Sequence, residues 1–243
     1  MSAEGMGKEI RHFGYEIGEA LYYEAVDTLG RIHAGGRADQ LGREAAGLLV
    51  RLTEVGFEAY YEKPADMITL SPMIRKAADT GMSAIFKAVD MVIHRVLAKR
   101  SLAELQQMAT DMSQMICASQ DEMPRFLIAF PLPNELYERS QTLITRVQQD
   151  PEVDAYRDDI IDSLEQLIEE AIQVFYSAPI GKVEVGRITR AAADMGISTV
   201  KKGSSMVLNK VFRSMPHDKL IPLADYFQTL LHQDASPYSP PPH

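Results

Sequence analysis

Apolar residues recur along most of this chain at spacings of three and four. Ile160, Ile161, Leu164, Leu167, Ile168, Ala171 and Ile172 form one such stripe, the period of a helix with a single buried face. Read this way, the first half holds four helices. The first runs from Phe13 to Ile32 and ends at Gly35-Gly36, a C-cap and turn. The second spans Asp39 to Tyr61. The third opens at Ser71-Pro72 and reaches Lys99. The fourth opens at Ser101, with Glu104 three residues on, the pattern of a capping box.

The same series returns 115 residues later. Leu21, Tyr22, Tyr61, Pro64, Arg75, Asp79 and Lys87 fall on Leu136, Tyr137, Tyr176, Pro179, Arg190, Asp194 and Lys202. Without a gap, Leu21 to Cys117 holds 21 identities with the later stretch, well beyond chance. The expected fold is therefore all-α, a tandem duplication at offset 115 of a four-helix unit, arranged as a pseudo-twofold helical bundle. The expected divisions are an N-terminal segment 1–12, repeat one 13–120, a linker 121–131, repeat two 132–233 and a tail 234–243. The tail is rich in proline and predicts an unstructured or polyproline-like segment.

The third helix of each copy is the most informative. Small residues recur at Ala77, Gly81, Ala84 and Ala88, and again at Ala192, Gly196, Thr199 and Gly203. They make one narrow stripe. Glycine inside a helix costs about 1 kcal/mol relative to alanine, so the stripe predicts a helix–helix interface between the copies. On a neighbouring face Arg75, Asp79 and Ser83 are spaced i, i+4, i+8, as are Arg190, Asp194 and Ser198. The Arg–Asp pairs can close i,i+4 ion pairs, and the alternative is a pair of anion-binding sites.

Charge and composition narrow the classes of function. The net charge is −9, which opposes bulk attraction to nucleic acid. The short basic runs, Arg95, Lys99 and Arg100, then Lys201, Lys202, Lys210 and Arg213, read as solvated helix faces. The stretch Ala192 to Ser198 has the look of a helix-turn-helix turn, but Lys87 and Lys202 stand where that motif needs an apolar residue. A single cysteine, Cys117, excludes an intramolecular disulfide. With no apolar leader in the first residues and no run of about 18 apolar residues, the expected location is cytoplasmic.

Metal chemistry has thin support. Asp90 and His94 share a helix face, as do Glu54, Glu58 and Glu62, but the second copy replaces the first pair with Ser205 and Asn209. No Glu-x-x-His pair occurs, as a di-iron bundle would need. No catalytic residues, metal ligands or cofactor are assigned. Two tandem helical units of this period resemble, in architecture alone, the phosphate-uptake regulator family. The stretches matching its acidic metal-binding motif read Ala77-Ala78-Asp79-Thr80-Gly81 and Ala192-Ala193-Asp194-Met195-Gly196, so no residue is carried over. The expected function is a non-enzymatic scaffold, adaptor or regulator that binds a protein partner or itself through helical surfaces. A small-ligand regulator with a site between the repeats is the alternative, and an enzyme whose site forms only in three dimensions the third.

Overall fold

The structure, a computed structural model, describes residues 10–68, 72–119, 122–182, 186–233 and 235–238. Helices dominate it, yet five strands form one antiparallel sheet, which corrects the all-α expectation. The strands are β1 (His12–Glu16), β2 (Ile116–Ser119), β3 (Phe126–Pro131), β4 (Leu231–His232) and β5 (Ala235–Pro237), in the order β4-β1-β3-β2-β5. The expected first helix thus begins with a strand. His12 to Tyr15 are all buried and only Glu16 is exposed, so the strand is too short and too evenly buried to stand out as an alternation beside the helical stripe that follows. The expected linker contains β3. Its run Leu127 to Phe130 is apolar at every position because both faces are buried. Residues 235–237 of the expected unstructured tail add β5 along β2.

In the first half the helices are α1 (Glu19–Ala34), α2 (Ala38–Phe57), α3 (Lys63–Met67), α4 (Pro72–Leu97) and α5 (Leu102–Ser113). A π-helical turn, Glu58–Glu62, joins α2 to α3. In the second half they are α6 (Asn134–Gln149), α7 (Arg157–Ile172), α8 (Ala178–Gly181), α9 (Arg187–Lys210) and α10 (His217–Thr229), with a π turn at Gln173–Ser177. Helix α1 is capped by Gly35 at φ 89°, where a side chain would be strained. The capping box of α5 is present, Ser101 N–H donating to Glu104 Oε2 at 2.8 Å. Asp150 ends α6 and accepts from Glu152 N–H at 2.9 Å in an Asx turn.

Helices α6, α9 and α10 and the second π turn each start 115 residues after their counterparts in the first half. The sheet follows the same spacing. Strands β1 and β3 pair with Gly14 opposite Ala129, two residues 115 apart. Gly14 N–H donates to Leu230 O at 2.9 Å and Ala129 N–H to Met115 O at 2.8 Å. The elements that share this spacing include strands as well as helices, which is not the four-helix unit expected.

The sheet must curl. From His232, ending one edge strand, to Ala235, starting the other, there are three Cα steps, a reach of about 11 Å. Four inter-strand gaps in a flat sheet would need about 19 Å. One face of the curl carries Phe13, Tyr15, Ile128 and Phe130, which pack with Leu29, Leu48, Leu52 and Leu105 of α1, α2 and α5 into the main core. The other face is wound inward and holds His12, Cys117, Leu127, Ala129 and His232, all buried. A second core lies among α6, α7, α9 and α10, built on Tyr156, Ile161, Leu208, Leu220 and Leu223.

Helices α4 and α9 lie against each other, with Ala193 packed on Val92 and Val96. The glycines of the expected stripe do not make that contact closer. A Cβ built on Gly81, Gly196 or Gly203 meets no heavy atom within 4 Å among the described residues. Thr199 is exposed and bonds the Met195 carbonyl of its own helix. The side chains of Ala77, Ala84, Ala88 and Ala192 lie outside the described set. The close helix crossing is elsewhere. A Cβ on Gly42 of α2 would sit 2.5 Å from the Leu97 carbonyl oxygen.

Candidate functional site

The first of the expected polar sites forms as a closed local cluster. Arg75 donates through Nε to Asp79 at 3.0 Å and through Nη1 to Asp66 at 2.8 Å and to the Ala65 carbonyl at 3.3 Å. Tyr61 hydroxyl donates to Asp79 at 2.8 Å. The Tyr61 hydrogen bond, aided by Arg75, holds the Asp79 carboxyl below its ordinary range. In the second half Tyr176 hydroxyl donates to Asp194 at 2.5 Å, and burial followed by that bond pushes the phenol up to about 12. Arg190 and Asp194 are exposed, as are Ser83 and Ser198. With two carboxylates and a carbonyl on it, the Arg75 guanidinium is engaged within its own cluster.

The two clusters do not share a cleft. Ala193, three residues from Arg190, sits beside Val92 and Val96. Those valines lie roughly 26 to 32 Å along α4 from Arg75 at 1.5 Å per residue. One small ligand does not span that distance, so the alternative of a site between the repeats loses its two arginines.

The other residues singled out carry little chemistry. Asp90 and His94 make an i,i+4 contact at 3.4 Å, and Glu58 pairs with Lys63 at 3.2 Å. Among the described residues no group of three or more His, Cys, Asp or Glu is placed to hold a metal ion. Cys117 lies in β2. It is fully buried, and burial pushes its thiol up to about 12, which keeps it from forming a nucleophilic thiolate.

Two further features were not legible in the sequence. His12 and His232 are paired across β1 and β4 inside the curl, 0% and 3% exposed. Neither ring nitrogen of His12 has a hydrogen-bond partner among the described residues. Burial lowers both pKa values, against weaker upward pulls from the Ile10 backbone on His12 and from the Gly14 carbonyl and Glu16 on His232. Arg125 and the neighbouring histidine lower His232 further. A buried neutral histidine is protonated more readily once unfolded. Stability should therefore be level above the ordinary value of 6.5 and fall as pH drops below it toward the depressed folded values. Urea midpoints from about pH 7.5 to about pH 5 should show that loss. It should shrink in His12→Leu, which installs the residue found at the corresponding Leu127. Equal acid sensitivity in the two proteins would remove the histidine as a cause.

The second feature is a cavity of about 60 Å³ among α6, α7 and α10, lined by Leu143, Ile144, Leu164, Leu220 and Phe227. Ser140 and Ser163 also line it and share a hydrogen bond of 3.1 Å. At the corresponding positions the first half has Ala25 and Leu48, both buried. Ser140→Ala with Ser163→Leu should fill the space and raise stability by about 1–2 kcal/mol, read as a higher Tm. A drop in Tm would show that the cavity cannot accept the leucine.

The remaining feature is the outward side of α4 and α9. From Pro72 to Met91 no described side chain of α4 is buried, and in α9 only Ala193 and Leu208 are. Met73, Met195 and Met206 are 83%, 71% and 39% exposed. Lys87, Met91 and Arg95 run along one face at i, i+4, i+8, and Lys202, Met206 and Lys210 repeat them on α9. The signal was present as short basic runs, but a run alone does not reveal whether its charges are neutralised in the fold. Comparison with known protein families, curated proteins and solved structures finds no match. Among the described residues no helix is long and apolar enough to cross a membrane.

Proposed function

We propose that this chain is a non-enzymatic interaction protein that works through the outward face of α4 and α9, on a scaffold made of two copies of one strand-and-helix unit. The carrying observation is the state of its cations. Lys76, Lys87, Arg95, Arg187, Lys202 and Lys210 have no ion pair among the described residues. Outside these two helices only Lys99 and Lys219 share that condition; the other described lysines and arginines are paired. Exposed methionines lie among the unpaired charges, and methionine is a side chain suited to adaptable contact surfaces. The shared 115-residue spacing of helices, π turns and sheet hydrogen bonds supports the two-copy reading.

The test is crosslinking of the full chain in gently opened host cells, followed by mass spectrometry. The wild type should yield crosslinks from Lys87 and Lys202 to other molecules. A chain with Lys76→Glu and Lys210→Glu should yield fewer, with an unchanged circular dichroism spectrum. Crosslinks confined to the chain itself, or the same partners at the same yield in both proteins, would overturn the reading.

A further inference from the structure

We infer that the surface this face recognises is an anionic lipid membrane, a proposal that rests on the interaction reading above. By composition α4 has four cations and two carboxylates and α9 five and one, a net of +6 within a chain of −9, which leaves −15 on the rest. The molecule is thus strongly polarised, and an anionic surface attracts this face while repelling the remainder. The two helices, 26 and 24 residues, are about 39 and 36 Å long. They present a long basic strip rather than a point contact.

Three occupants compete for such a strip, and charge and apolarity separate them. A second copy docking face to face would bring the unpaired lysines and arginines of one face against those of the other, which is repulsive. Nucleic acid would satisfy the lysines, but a phosphate backbone offers Met73, Met195 and Met206 no apolar contact. A lipid interface supplies both, phosphate or carboxylate headgroups for the cations and the acyl boundary for the methionines. The repetition of Lys-x-x-x-Met-x-x-x-Arg on α4 and Lys-x-x-x-Met-x-x-x-Lys on α9 alternates those two needs along each helix.

The full chain should co-sediment with vesicles containing about a third phosphatidylserine at about 0.1 M salt, and much less with phosphatidylcholine alone or at about 0.5 M salt. Lys87→Glu with Lys202→Glu should weaken binding at least tenfold. Met195→Ser with Met206→Ser should weaken it without changing its salt dependence. Arg43→Glu with Lys63→Glu, the same change of charge on α2 and α3, should bind nearly as the wild type does. Absence of binding to anionic vesicles, equal binding to phosphatidylcholine, or equal losses in the two charge-reversed proteins would overturn the proposal. Binding to a DNA duplex but not to vesicles would overturn the membrane while leaving the interaction reading in place. That reading fails separately, on the cellular crosslinks.

Discussion

Gly14→Ala should cost more than about 3 kcal/mol, at the upper end of overpacking, and should leave little folded protein at 37 °C. The reason is the pinch in the curled sheet. A Cβ on Gly14 would lie 2.3 Å from the Ile128 carbonyl oxygen, 2.4 Å from Ala129 Cβ and 2.5 Å from Ala129 Cα. Two of those atoms are backbone, so no rotamer change relieves the contact, and the strands themselves must separate. Strand β1 bonds to β3 and β4 at this point, so a shift there disturbs both neighbours. Gly81→Ala and Gly196→Ala are the contrasting controls. Their Cβ atoms meet nothing within 4 Å among the described residues, and the helix gains up to about 1 kcal/mol from losing a glycine. Chemical denaturation of the three variants checks the order. A Gly14→Ala protein within about 1 kcal/mol of wild type would mean that the sheet opens easily at its centre.

That order inverts the expectation from sequence, in which Gly81 and Gly196 are the close-packed residues. Spacing revealed that small residues share a helix face, but not what lies opposite that face. The long helices were legible because their stripes persist over many turns. The sheet was not, for three physical reasons. Strand β1 is five residues long and is followed at once by a helix of strong period. Strand β3 is apolar on both faces, so it lacks the alternation that marks a half-buried strand. Strands β4 and β5 are two and three residues long and are strands only because β1 and β2 present their edges to them. The polar clusters were legible as pairs, Arg75 with Asp79 among them. Tyr61 and Asp66, which close the first cluster, come from the π turn and α3 that precede α4 and needed the fold.

Residues 115 apart in the two halves differ in how a buried ring is seated, and this yields the second large effect. In the first half Tyr15 packs edge-on to Tyr60, ring centroids 5.3 Å apart at 87°, and its buried hydroxyl donates to the Leu52 carbonyl at 2.9 Å. In the second half the corresponding pair is Phe130 and Phe175, at 5.4 Å and 88°. Gly56 of α2 stands beneath the Tyr15 ring, where a Cβ would meet the hydroxyl oxygen at 3.0 Å and Cζ at 3.1 Å. The residue 115 positions on is Ala171, packed against the same core as Phe130, a ring with no hydroxyl. Gly56→Ala alone should therefore cost about 1–3 kcal/mol by overpacking, against a helix gain of about 1. Tyr15→Phe alone should cost about 1 kcal/mol for the lost hydrogen bond. Together they recreate the pairing of the second half. The double variant should be more stable than the sum of the two losses by about 1 kcal/mol or more. Strict additivity in urea denaturation would mean that the hydroxyl and the missing methyl are unrelated. Coupling of the expected sign would show that the glycine in α2 exists to seat a tyrosine of the sheet, and that the two halves have solved the same contact with different side chains.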